Sequence, residues 1–194
     1  MNDLSASEEK CPACGTTYNK TPKAEYHLPP ETILANRYIL GYAVKETEVF
    51  IAYMAWDKEE NKKVLINEYF PAFLSERTEE LCVEPENKKT SHIFMRGLAA
   101  FKDECIDLKD MPNVDVIGGF EENNTYYCVR EIVDGIMVKN LIYNDLKISD
   151  DYARRVLILI LRSLNKIQKK GIIHGNITPE SLYISKKDTS IILT

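Results

Sequence analysis

Two short stretches of the chain bring together residue types that do chemistry. Cys11-Pro12-Ala13-Cys14-Gly15 spaces two thiols as in half of a zinc ribbon, where Zn²⁺ takes four ligands. Only half of such a site is present, because His27 stands too far along the chain to complete it. Zinc held by one chain is therefore not expected, while an intermolecular site between two such knuckles stays open. The second stretch is Gly171-Ile172-Ile173-His174-Gly175-Asn176-Ile177-Thr178-Pro179-Glu180-Ser181-Leu182. His174 offers an imidazole, Asn176 a neutral amide and Ser181 a hydroxyl. An amide cannot take a proton as a carboxylate does, and a neutral hydroxyl is a weaker magnesium ligand than a carboxylate. His174 itself reads as a packed, hydrogen-bonded histidine that braces a loop.

The elements that must position these groups are legible in the apolar pattern. Tyr38 to Val44 and Val49 to Trp56 are apolar or alternating runs about the polar Lys45-Glu46-Thr47-Glu48, and Lys63 to Tyr69 reads as a third strand, so an antiparallel meander is expected. Phe94, Leu98, Phe101, Cys105 and Leu108 recur at intervals of four and three, the spacing of an amphipathic helix that Met111-Pro112-Asn113 breaks. Val114 to Phe120 and Thr125 to Val133 read as two more strands about a polar turn, Glu121 to Asn124, and Gly135 as the start of a short helical segment toward Asn144. Ser149-Asp150-Asp151 caps a helix and favours its dipole and Gly171 stops it, so Asp151 to Lys170 reads as one long, largely buried helix.

At 194 residues, 44% hydrophobic and 28% charged, the chain has ordinary globular composition with room for a core. A balance of 25 basic against 30 acidic residues, net −5, is too acidic and mixed for a nucleic-acid or membrane-surface protein. The longest apolar run, Val156 to Leu161, falls far short of the roughly 20 residues of a membrane helix. Met1 to Lys10 is polar and acidic, unlike a signal peptide. Five cysteines, an odd number mostly within apolar segments, point to a reducing, cytoplasmic setting. The composition divides the chain into a polar tail with the knuckle (1–27), a linker (28–37) and a body from residue 38 onward.

This order, together with the Gly171–Leu182 stretch, resembles a bacterial, clostridial-type branch of the eukaryotic-like serine/threonine protein kinases. Leu28-Pro29-Pro30-Glu31-Thr32-Ile33-Leu34, Tyr38-Ile39-Leu40-Gly41, Tyr53-Met54-Ala55-Trp56-Asp57 and Asn67-Glu68-Tyr69-Phe70-Pro71 carry the likeness. It implies an α+β, protein-kinase-like fold: a five-stranded antiparallel small lobe with one helix (38–133) and the first helices of a large lobe (134–194), ending after the catalytic loop and before Asp-Phe-Gly. It also implies that Thr194 ends a fragment or truncated product, or that a partner covers the face later helices would pack on.

The same resemblance marks each chemical station, and each is altered. Asn176 stands where the catalytic Asp would be and Ser181 where the metal-binding Asn would be. The glycine-rich loop carries Lys45, Thr47 and Phe50, and Phe50 denies the close backbone approach that glycine permits. Asn67 replaces the phosphate-holding lysine in Val64-Leu65-Ile66-Asn67, which leaves Glu104, that lysine's usual partner, without it. Leu65 and Tyr183 add bulk to the adenine slot. Arg130 at the gatekeeper position would need a carboxylate from Glu104 or Glu131, unless it turns to solvent. Gly175 replaces the arginine that usually receives an activation-loop phosphate, arguing against a phosphate-driven switch.

With loop, lysine, base and metal ligand all changed, the expectation is a pseudokinase: a catalytically inactive binding or scaffolding module in bacterial signalling, without ATP or magnesium. A protein partner, or self-association through the incomplete large-lobe face, goes with it. Two other readings stay open, a divergent serine/threonine kinase or nucleotide transferase that binds ATP, and a zinc-ribbon interaction module.

Overall fold

The computed structural model describes residues 22–109, 111, 113–143, 149–171, 173, 175, 177–188 and 190–194. The chain divides into two compact units: Met1–Arg96 with Glu121–Tyr127, and Gly97–Phe120 with Cys128–Thr194. Among the described residues, no helix is long and apolar enough to cross a membrane.

The first unit is built on a meander. Strands β1 (Ile33–Leu34), β2 (Tyr38–Glu46), β3 (Phe50–Asp57) and β4 (Lys62–Tyr69) pair antiparallel in sequence order, and the turn-proximal ends of β7 (Val116–Glu122) and β8 (Thr125–Glu131) continue the order as β4-β8-β7. β3 and β4 run in unbroken register from Phe50↔Tyr69 to Asp57↔Lys62. In β2 the register against β3 slips twice, on either side of Ala43. A second pair, β5 (Ser75–Arg77) and β6 (Val83–Pro85), and the start of α1 (Ser91–Leu108) complete the unit.

Among the described residues the main sheet thus has six strands where five were expected, because β1 lies in the segment read as a linker. That segment is no loose connection: Leu28 and Leu34 are buried in the core with Ile51, Tyr53, Val64, Ile66, Phe94 and Tyr127. Its Pro29-Pro30 hid the apolar residues around it. The β7–β8 turn is tighter than the four residues expected. Asn123 and Asn124 both take positive φ, 51° and 58°, the two left-handed positions of a type I′ hairpin, which asparagine tolerates better than most residues.

The second unit holds the rest of α1, the open ends of β7 and β8, and a three-stranded antiparallel sheet in the order β11-β10-β9. Its strands are β9 (Gly135–Met137), β10 (Leu182–Ser185) and β11 (Ile191–Leu193), with helices α2 (Val138–Tyr143) and α3 (Asp150–Gln168). Gly135 opens a strand rather than the expected helical segment, and the helix starts only at Val138. The cause is long-range pairing, Ile136↔Ile184, which a local reading does not see. A Cβ at Gly135 would lie 2.7 Å from the Ile184 carbonyl oxygen, so this close approach needs glycine.

α3 begins as its sequence dictates. Ser149 caps it, accepting from the Tyr152 N–H at 3.3 Å, and Asp150 and Asp151 occupy the first turn. It ends at Gln168, after which Gly171 takes φ +81°. The expectation of a largely buried helix is corrected: only Ser163 and Ile167 are buried. Leu159, Ile160 and Leu164 pack against the core formed by Met111, Val138, Ile167, Leu182, Ile191 and Leu193. This set falls on one stripe, i, i+1, i+5 and i+8, and Ser163 on the same stripe donates to the Ile191 carbonyl at 3.1 Å. The apolar residues on the remaining circumference, Leu157, Ile158 and Leu161, stay exposed because one stripe is all that the core covers.

Candidate functional site

The residues that the sequence marks for nucleotide chemistry fall in both units, and each half has its own local construction. In the first unit the β2–β3 turn is closed by a side chain. The Thr47 hydroxyl donates to the Phe50 carbonyl at 3.1 Å and accepts from the N–H groups of Val49 at 3.3 Å and Phe50 at 3.0 Å. The Thr47 N–H also bonds to the Phe50 carbonyl, at 3.0 Å. Three of the backbone donors that such a turn could aim at a phosphate are therefore spent within it. Phe50 adds bulk where a glycine would leave a gap, and the Lys45 ammonium lies 5.9 Å from its ring centroid, at the outer reach of a cation–π contact. Asn67 is buried on β4 opposite Ala52, and Leu65 is half-buried opposite Met54.

Beside Asn67 lies a network that the sequence reading missed. Glu68 has no solvent exposure, and its carboxylate accepts from Arg77 at 3.0 Å and 2.6 Å, from the Tyr53 hydroxyl at 3.1 Å and from the Tyr127 hydroxyl at 2.9 Å. Four donors on a buried carboxylate satisfy most of its lone pairs, which makes burial of the charge tenable. Burial alone would lower the Arg77 pKa, but Glu68 more than offsets it and leaves Arg77 above its ordinary value. Burial pushes the Tyr53 and Tyr127 phenols far up, and the same carboxylate pushes them further, so both stay protonated donors. The sequence signal for this network was an acidic residue, Glu68, placed just after the apolar run Val64 to Ile66 of β4.

In the second unit Arg130, near the end of β8, does find a carboxylate, and it is neither Glu104 nor Glu131. Asp115, just ahead of β7, accepts from Arg130 Nε at 3.0 Å and from Nη2 at 2.5 Å. The two residues stand on the arms of one hairpin, and the Glu131 N–H bonds to the Asp115 carbonyl at 2.7 Å, so the hairpin itself carried the signal. Burial would lower the Arg130 pKa, and Asp115 more than restores it. Glu104 lies exposed on α1 and adds a smaller electrostatic contribution to Arg130. Tyr183 is half-buried on β10, its phenol raised first by burial and then by Asp115. Next to Arg130's strand positions, Cys128 and Cys105 are both buried; the neighbouring Cys105 thiol and burial push the Cys128 thiol far up, as befits unreactive core thiols.

Ser181 is buried and turned to the backbone of Thr178. Its hydroxyl accepts from the Thr178 N–H at 3.0 Å and donates to the Thr178 carbonyl at 3.0 Å. The oxygen at the position of a metal-binding Asn thus closes a turn. His174 and Asn176, and Cys11 and Cys14 of the knuckle, lie outside the described residues. Among the described residues, no group of three or more His, Cys, Asp or Glu side chains could hold a metal ion.

No protein-family model matches the sequence. Over 120 residues, 60% of this chain, it is 25% identical to the probable serine/threonine-protein kinase PknB of Lactococcus lactis, of which the match covers 19%. Over 69 residues, 36% of this chain, it is 32% identical to serine/threonine-protein kinase D of a Synechocystis species, of which the match covers 13%. The chain thus spans less than a fifth of each of these relatives. Among solved structures, the apo form of PpkA-294 superposes with a TM-score of 0.74 at 26% identity, covering 87% of this chain and 60% of that one. Rad53 1-466, solved in complex with AMP-PNP, gives a TM-score of 0.59 at 16% identity, a likeness of fold, over 81% of this chain and 38% of that one. Fold and sequence together make this a protein-kinase-like chain, related to the serine/threonine protein kinases.

Proposed function

We propose that the chain is a pseudokinase, a kinase-like module that acts in bacterial cytoplasmic signalling by binding or scaffolding and transfers no phosphate. The observation that carries this reading is the closed β2–β3 turn. Thr47 occupies the donors of the turn at 3.0–3.3 Å, and two strand positions before Tyr69 the phosphate-holding lysine is replaced by a buried Asn67. Phosphoryl transfer rests on positioning and on charge placed against the phosphates. A turn whose N–H groups bond internally and a neutral amide in place of an ammonium supply neither. Ser181, committed to Thr178, supports the same reading at the metal position.

Calorimetric titration with ATP and magnesium tests it: no heat of binding is expected up to millimolar nucleotide, and saturable micromolar binding would overturn it. The rival is a divergent kinase that binds ATP, favoured by the kinase names of the similar proteins. The same titration separates the two. For the knuckle, we propose that zinc, if bound, bridges Cys11 and Cys14 of two chains; metal analysis of the purified protein, with its mass in solution, tests that independently.

A further inference from the structure

The segment that leads into the body, residues 22–28, crosses the end of β2 in a sequence of specific bonds. The Lys23 ammonium donates to the Ala43 carbonyl at 2.8 Å. The Tyr26 hydroxyl donates to Glu46 Oε1 at 2.7 Å, and His27 Nε2 lies 3.3 Å from Glu46 Oε2. Arg77 Nε donates to the Tyr26 carbonyl at 2.5 Å, and the Leu28 N–H donates to the Tyr53 hydroxyl at 3.0 Å. The Tyr26 ring stacks on Phe70 at 5.5 Å and 11°. Main-chain and side-chain groups of four of the six residues from Lys23 to Leu28 are thus engaged.

Two features of β2 fit this segment and have no other evident purpose. The register slips on both sides of Ala43 interrupt the β2–β3 ladder, which leaves a carbonyl at the irregularity for Lys23 to take. Glu46, the last residue of β2, presents its two carboxylate oxygens separately to Tyr26 and His27, while the next residue, Thr47, closes the turn. Glu46 therefore holds two residues of the incoming segment at the very end of the strand that enters the turn.

We propose that Lys23–Leu28 is a strap that locks the β2–β3 hairpin, with Glu46 as its catch, so that the strap and the hairpin are ordered and released together. This is a conformational device at the turn that in the related fold faces the nucleotide, and it stands whether or not nucleotide binds. The chain ahead of residue 22 reaches the body through the strap, so a partner that pulls on or sequesters the strap frees the hairpin. Because coupling between two sites is reciprocal, loosening the hairpin must loosen the strap to the same extent.

Native-state hydrogen exchange read by mass spectrometry on the full chain tests this, comparing Glu46→Ala, Thr47→Val and a control in the second unit, Lys139→Ala. Losing bonds of this kind should speed exchange about three- to tenfold. The acceleration is expected in residues 22–28 and 43–50 alike for both Glu46→Ala and Thr47→Val, and in neither for Lys139→Ala. Glu46→Ala that accelerates one segment and leaves the other at the wild-type rate would overturn the proposal. So would Thr47→Val that loosens the hairpin and leaves the strap unchanged. Glu46 is exposed, so its variant folds and the comparison stays readable.

Discussion

Glu68 and Arg77 form an ion pair at 2.6 Å with 0% and 3% of their side chains exposed. It joins β4 to β5, and through the Tyr53 and Tyr127 hydroxyls it also ties in β3 and β8. Breaking one partner strands a buried charge, at a cost of about 3–5 kcal/mol. Glu68→Leu and Arg77→Met should each lower stability by about that much in urea denaturation. The double variant should lose clearly less than the sum, because no charge is left unpaired. Additive losses would show that the pair is not coupled.

Asp57 gives an acid limb to stability. Its carboxylate accepts from Arg37 Nε at 2.8 Å and Nη2 at 2.6 Å and from the N–H groups of Glu59 at 3.0 Å and Glu60 at 3.3 Å. The Arg37 hydrogen bonds, helped by those N–H groups against the cost of burial, hold its pKa below the ordinary aspartate value. A carboxylate depressed on folding contributes fully above its unfolded value, about 3.9, and the contribution is lost as pH falls through the lower folded value. Unfolding midpoints followed from neutrality to well below about pH 4 should therefore fall more steeply for wild type than for Asp57→Asn in the range below about pH 4. At neutral pH the variant should be less stable by about 1.5–3 kcal/mol, the loss of a charged hydrogen-bonded pair. Parallel acid limbs in the two proteins would contradict the assignment.

If the chain is the pseudokinase proposed above, restoring charges alone should not produce phosphoryl transfer. Asn67→Lys with Asn176→Asp replaces a phosphate-binding cation and a base, but the turn donors remain committed to Thr47 and Phe50, and Ser181 to Thr178. Phosphoryl transfer needs these parts together. Radiolabel from ATP should not appear on a generic protein substrate above the wild-type background. Transfer by the double variant would mean that the closed turn is no obstacle.

How far the sequence disclosed this structure depended on the range of the interaction involved. The meander, the α1 periodicity and the Ser149 cap of α3 are local, and they stood where pattern and capping placed them. The β9 strand was read as helix because Ile136 pairs with Ile184, a partner far along the chain. β1 was hidden by the prolines of its segment. In the site, the replaced residues were visible as letters, but their new tasks were not: Thr47 closes a turn, Ser181 closes another, and Arg130 pairs with Asp115 across a hairpin whose register had to be known first. The Glu68 network was least visible, since a charge in a strand reads as a solvent-facing position until four donors surround it.

The exposed side of α3 should be the adhesive surface of this chain. Leu157, Ile158 and Leu161 are 55%, 48% and 56% exposed, while Leu159, Ile160 and Leu164 on the other stripe pack against the core. Helical spacing puts the first three on neighbouring turns of one face, so they form a single apolar stripe, flanked by Arg154, Arg155 and Arg162. Covering a Leu or Ile side chain is worth roughly 1.5–3 kcal/mol, enough for two or three of them to drive association. The purified chain should bind a hydrophobic dye or show concentration-dependent mass in light scattering. Leu157→Glu and Leu161→Glu should reduce both signals with little change in the unfolding midpoint. Leu159→Glu and Ile160→Glu should behave oppositely, lowering the midpoint because they put a charge against the core. A monomer at all concentrations that binds no dye would show that the stripe is not adhesive, and equal destabilisation by all four substitutions would show that the two stripes are not distinct.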